Sequence, residues 1–177
     1  LPAIIQAYHT PAMGTEDYYA VDMLSTLLSE GQSSRLYKTL VDQKELAMQV
    51  ALIPMPLEDP GVALMFALPN SGVDAKKLEK AMDAEVEDVK NNLISDREME
   101  KLKNQFESKI VKQNNTIARR AQNLARNYTY FENTDLINHR LKKYLNVTKE
   151  DIKRVANEYF SEDNRVVLYY LPKSQKE

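Results

Sequence analysis

The sequence predicts an α+β domain: a mostly antiparallel sheet backed by helices on one face. Three observations predict it. Short apolar runs with strand character occupy positions 2–9, 46–53, 62–68 and 166–171, and stretches with helical apolar spacing lie between them. The order is strand, two helices, two strands, several helices, strand, which favours antiparallel neighbours over a regular alternation of single strands and helices. At 177 residues, with 43% hydrophobic and 28% charged side chains, the chain has enough apolar material for one packed domain over 1–177.

Residues 2–9, Pro-Ala-Ile-Ile-Gln-Ala-Tyr-His, are closed by Thr10-Pro11 and predict an edge or entry strand. Gly14-Thr15-Glu16-Asp17 opens a helix, because carboxylates in a first turn meet the positive end of the helix dipole. Tyr18, Val21, Leu24, Leu27 and Leu28 recur at helical spacing, so this helix is half buried. Gly31 suits its stop, since a residue without Cβ takes positive φ at no steric cost. Ser33 or Ser34 then caps a short helix whose apolar side is Leu36, Tyr37 and Leu40. Leu46–Ile53 is a strand, Pro54 to Gly61 interrupts it, and Val62–Leu68 is its hairpin partner across a long loop. Both runs are apolar on both faces, so at least one is a central strand covered on both sides.

Asp74 caps a long helix with Leu78, Met82, Val86, Val89 and Leu93 on one face. Ser95-Asp-Arg-Glu98 is a capping box, in which hydroxyl and carboxylate each satisfy an amide at a helix start. The apolar spacing then runs through Leu102, Phe106 and Ile110, breaks at Asn114-Asn115-Thr116, and resumes through Ile117, Ala121, Leu124 and Tyr128. A shorter helix spans Leu136 to Leu145. Thr148-Lys-Glu-Asp151 opens the last helix, with Ile152, Val155, Ala156 and Tyr159 inward, and Val166–Leu171 is the closing strand.

A net charge of -2 argues against a nucleic-acid binder. The absence of cysteine removes disulfides and thiolate sites. No apolar run approaches the roughly 20 residues of a membrane span. The chain opens on Leu1-Pro2 instead of Met, which predicts a piece of something longer, any targeting segment lying outside it. Periplasmic, cytoplasmic and organellar locations therefore all stay open.

The stretch Gly31-Gln-Ser-Ser-Arg-Leu-Tyr-Lys-Thr-Leu-Val-Asp-Gln-Lys-Glu-Leu-Ala47 resembles the Ser-Arg-Leu segment of the second domain of M16-family zinc metallopeptidases, which include insulin-degrading enzymes, pitrilysins and mitochondrial processing peptidases. The closing Val147-Thr-Lys-Glu-Asp-Ile152 is similar to that family's helix before its last strand, and the elements between follow its order. The resemblance implies the fold already predicted and a C-terminal, non-catalytic domain. It implies a zinc-bearing companion domain, in the same chain or a partner subunit, and a peptide substrate.

Active members carry His-x-x-Glu-His on the first helix of their first domain, where two imidazoles reach one metal and the Glu is general base. The helix in that place here, Tyr18 to Leu28, has no histidine, and His9 and His139 have no second ligand at suitable spacing. No catalytic residue and no metal ligand are therefore assigned to this chain, and the zinc is expected in the companion. The family's second domains also hold substrate with an Arg and a Tyr seven residues apart. The resemblance places these at Val41 and Met48, which can donate no charge-assisted hydrogen bond.

Arg35 and Tyr37 remain candidates for substrate or partner contact. The alternatives are an arginine pairing with a neighbouring carboxylate and a core aromatic with a satisfied hydroxyl. A basic run, Lys101, Lys103, Lys109, Lys112, Arg119, Arg120 and Arg126 against the single acid Glu107, offers an anion or partner surface. The favoured alternative is a solvated face balanced by the acidic helix 74–88. The functional expectation is a non-catalytic domain helping to form a peptide-binding chamber. The alternatives are an assembly domain of a peptidase-like core subunit in a larger complex, and an anion-binding adaptor.

Overall fold

A computed structural model describes residues 2–171. Ten main elements follow one another: β1 (Ala3–Thr10), α1 (Glu16–Ser29), β2 (Ala47–Met55), β3 (Gly61–Pro69), α2 (Ala75–Asn91), α3 (Asp96–Gln113), α4 (Ile117–Phe131), α5 (Leu136–Asn146), α6 (Lys149–Tyr159) and β4 (Arg165–Tyr170). A π-helical turn, Tyr37–Gln43, joins α1 to β2. The four strands form one antiparallel sheet in the order β2-β3-β1-β4, with helices on one face. The α+β layer read from the sequence is therefore the observed architecture.

The helix starts follow from local chemistry. Thr15, Asp74, Ser95, Thr116 and Thr148 each accept a backbone N–H near a helix start, and Ser95–Glu98 and Thr148–Asp151 complete reciprocal boxes. Two local expectations fail. Neither Ser33 nor Ser34 caps: the Ser33 hydroxyl oxygen accepts from Lys101 Nζ at 2.7 Å, while Ser34 Oγ is buried without a partner among the described residues. Leu93 lies past the end of α2 and is exposed.

β1 is internal instead of an edge strand, because β4 returns from the far end of the chain to pair along it from Ala3 to Tyr8. β3 is central, as the sequence implied. Its inward residues Ala63, Met65 and Ala67 are buried, but the outward Val62, Leu64, Phe66 and Leu68 are only half covered. The expected second cover does not lie on that face among the described residues.

The core sits between the inner sheet face and α1, α2 and α6, extended by α3 and α5. Ile4, Tyr8, Met23, Leu24, Leu28, Met65, Leu78, Met82 and Phe106 are fully enclosed. Tyr144 stacks on Phe106 at 4.2 Å and meets Tyr19 edge-on at 4.9 Å. Polar groups beneath the sheet form a closed network: the Tyr8 hydroxyl donates to Gln6, Gln6 donates to Asp83 at 2.8 Å, and Arg165 donates to Asp83 at 2.6 Å. Buried polar atoms that keep partners avoid the desolvation penalty, and this network pins α2 under β1 and β4.

Candidate functional site

The stretch between α1 and β2 is built as a rigid corner. Gly31 ends α1 with φ +82°, and Ser34 N–H bonds back to its carbonyl at 3.1 Å. The short helix that follows widens into the π-helical turn, with Lys44 N–H reaching the Thr39 carbonyl at 3.0 Å. Such turns insert an extra residue per turn and recur at functional sites. Leu36 and Leu40 are buried beneath it, and Tyr37 and Val41 pack half-buried against the same core. Glu45 takes φ +50°, and Asn70 Nδ2 donates to its carbonyl at 2.6 Å, which fixes the entry to β2.

Arg35 holds this corner to two helices. Its Nε and Nη2 donate to the two Glu98 oxygens at 2.8 and 3.1 Å, and Nη1 donates to Asp88 at 2.5 Å. Glu98 also accepts the Ser95 amide and hydroxyl. Burial alone would raise its carboxyl, but Arg35 and Ser95 outweigh burial and hold it down at about 2. Of the two residues the sequence offered for contact, Arg35 thus has its guanidinium engaged by Glu98 and Asp88, and Tyr37 is half-buried.

Val41 and Met48 are not brought into one polar site. Val41 faces the core, whereas Met48 is exposed where a bulge between Ala47 and Gln49 interrupts the β2–β3 ladder. Met48 lines a cleft of about 700 Å³ at the end of the sheet, with Pro2, Pro69, Asn70, Val73 and Tyr169. The lining is chiefly apolar, with the capped start of α2 at one side.

On α1, the helix in the place of a zinc-binding helix, the inward polar groups are occupied. Ser25 Oγ donates to the Val21 carbonyl at 2.8 Å, and Asp22 accepts the Tyr144 hydroxyl at 2.7 Å. Burial pushes the Asp22 carboxyl up, against the pull of Tyr144, Lys109 and Arg140. Asp22 is the functional-looking group that sequence reasoning passed over; its signal was one acid within an apolar stripe. His139 lies beside Asp135 at 2.7 Å on an exposed helix turn, and His9 is exposed on the outer sheet face. Among the described residues no group of three or more His, Cys, Asp or Glu could hold a metal ion, so the donors present do not fit zinc.

The basic run divides: Lys112, Arg119 and Arg120 gather at the exposed α3–α4 turn, while Lys109 and Arg126 make contacts elsewhere. Arg119 and Arg120 donate to the carbonyls of Lys112 and Asn114, Arg126 reaches Met13 Sδ at 2.9 Å, and Lys109 pairs with Glu30 at 3.6 Å. The acids of α2 turn elsewhere, Asp88 to Arg35 and Asp83 to Arg165.

A family model described as the peptidase M16 inactive domain matches residues 1–106. The zinc protease PqqE of Helicobacter pylori is 33% identical over 165 residues, 93% of this chain and 37% of that protein. An uncharacterized zinc protease of Rickettsia felis is 24% identical over 152 residues, 86% of this chain and 36% of that protein. The chain thus spans little more than a third of the curated relatives it matches. The crystal structure of a protease from Helicobacter pylori superposes with TM-score 0.89 at 31% identity, covering 97% of this chain and 41% of that one. The inactive peptidase domain of a zinc protease homologue from Bordetella parapertussis gives TM-score 0.86 at 24% identity, covering 99% and 93%.

Proposed function

Given that this chain belongs to the peptidase M16 family as one of its inactive domains, we propose that it completes a zinc metalloendopeptidase by shape instead of chemistry. It packs beside a zinc-bearing domain, in the same chain or a partner subunit, and forms part of the wall of a chamber that admits extended peptides. The companion supplies the zinc and the hydrolytic groups. This domain supplies a rigid corner and the strand that leaves it.

One observation supports this reading above the others. β2 is an outer strand of the described sheet, it follows directly from the Arg35-braced corner, and its second residue, Met48, stands on the rim of the apolar cleft. An outer strand offers unpaired amides and carbonyls to an extended chain, and an adjacent cleft accommodates a side chain. With Val41 and Met48 at the gripping positions, the contact rests on main-chain bonds and apolar packing. Arg35 and Tyr37 act from beneath, by holding the corner.

The test is reconstitution. Peptide cleavage is measured for the zinc-bearing domain alone, for this chain alone, and for both together, with and without a chelator. Chelator-sensitive cleavage that requires both is the expected result. Full activity of the zinc-bearing domain without this chain would overturn the proposal.

A further inference from the structure

Helix α4 turns one buried side chain toward the domain, and that side chain, Asn127, is polar. Its neighbours on the same side have partners. Asn123 Nδ2 donates to the Gln113 carbonyl and to Asn114 Oδ1, and Arg120 donates to the Asn114 carbonyl. The Asn127 amide, in a residue only 8% exposed, makes no hydrogen bond with any described residue; it borders two small cavities instead. A buried amide without a partner asks for a physical reason.

The first cavity, of about 20 Å³, lies between α1, α4 and α5, and its wall includes Tyr18, Tyr19, Arg126, Asn127, Phe131 and Arg140. The second, of about 10 Å³, lies between α3, α4 and α5 and shares Asn127 and Arg140 with the first. No Asp or Glu lines either one. Arg140 is permanently charged. The groups that act on it are the phenols of Tyr144, Tyr18 and Tyr19. Asp22 accepts the Tyr144 hydroxyl at 2.7 Å, and burial pushes its carboxyl toward the neutral form. Exposed Arg126 brings a second cation to the first cavity, and among the described residues its guanidinium reaches only Met13 Sδ. A desolvated cation without a counter-charge is costly, and here it shares a cavity wall with an amide that has donors to spare.

We infer that the first cavity is a binding site for one small monovalent anion of halide size, held by Arg140 and the Asn127 amide, with Arg126 at its side. Size selects this class. About 10–15 Å³ is what one water needs, so about 20 Å³ suits chloride or bromide and is too small for a phosphate or a sugar acid. The anion gives α4 the inward partner that its own sequence does not supply, and ties it to α5. The site uses neither the β2 edge nor the Met48 cleft, so it stands or falls independently of the chamber-wall reading.

The test is thermal unfolding of the chain in sodium chloride or sodium bromide, from a few millimolar to several hundred millimolar. Sodium gluconate holds the ionic strength constant. A ligand that binds only the folded state raises the unfolding temperature with the logarithm of its concentration. The proposal expects that rise for both halides. It expects Arg140→Gln and Asn127→Leu, each checked for folding by circular dichroism, to weaken the apparent halide affinity at least tenfold, and Arg119→Gln to leave it unchanged. Asn127→Leu keeps the volume of the side chain, so it carries the test if Arg140→Gln does not fold. Crystals soaked in sodium bromide should show an anomalous peak within hydrogen-bond distance of Arg140 and Asn127. Equal unfolding temperatures in chloride and gluconate, or a halide response that survives Asn127→Leu undiminished, would overturn the proposal.

Discussion

Arg35 and Glu98, 63 residues apart in sequence, meet through two parallel hydrogen bonds of 2.8 and 3.1 Å, and the same guanidinium reaches Asp88. One side chain therefore ties the Ser-Arg-Leu corner to the end of α2 and the start of α3. The planar fork of arginine makes this possible; a lysine offers a point charge in its place.

Arg35→Ala is expected to cost about 2 kcal/mol at neutral pH, below the value for a fully buried pair because Glu98 keeps some solvent contact. Arg35→Lys should recover only part of it. Glu98 titrates at about 2 in the folded protein against an ordinary 4.5. Its contribution is thus fully present above pH 4.5 and lost as pH falls through about 2. The deficit of Arg35→Ala, measured by urea unfolding, should be full at pH 7 and shrink steadily below pH 4.5. A deficit that does not change with pH would show that the ion pair is not its source.

Asp22 behaves in the opposite sense. Its folded carboxyl is raised above the ordinary 3.8, chiefly by burial. The folded state then binds the proton more readily than the unfolded chain, so this residue's contribution falls as pH rises above 3.8. Asp22→Asn keeps an acceptor for the Tyr144 hydroxyl and removes the charge. It should raise stability by about 1 kcal/mol at pH 7, with the gain fading below pH 4. Thermal unfolding at the two pH values is the check, and a loss of stability at pH 7 would contradict it.

Gly14 and Gly31 both take positive φ, at +88° and +82°, but only one is crowded. A Cβ on Gly14 would fall 2.6 Å from the Phe131 ring, whereas nothing lies within 4 Å of one on Gly31. Gly31→Ala should therefore cost about 1 kcal/mol from backbone strain alone. Gly14→Ala should cost about 2–3 kcal/mol and loosen the end of α4. Hydrogen exchange should quicken across 117–131 in the second variant and stay unchanged there in the first.

Local signals were legible in the sequence and distant ones were not. The caps at Asp74, Ser95 and Thr148 need only residues three positions away, and all three appear where their pattern placed them. The status of β1 depends on β4, joined to it by a pairing between Ala3 and Tyr170 that no short-range pattern encodes. The stripe of α4 teaches the same lesson. Its spacing correctly marked Ile117, Leu124 and Tyr128 as one face, but periodicity specifies a face and not what covers it. For Arg35 the sequence favoured a neighbouring carboxylate over a ligand but could not say which carboxylate; the fold brings Asp88 and Glu98 to it. The positions Val41 and Met48 came from family resemblance, and the fold separates them into core and rim.

The central claim, that this domain contributes shape while another holds the metal, is tested most directly on the purified chain by measuring bound zinc after dialysis together with chelator-sensitive cleavage of unstructured peptides. The account predicts zinc far below one ion per chain and no cleavage. One tightly held zinc per chain, or hydrolysis by this chain unaided that a chelator stops, would contradict it.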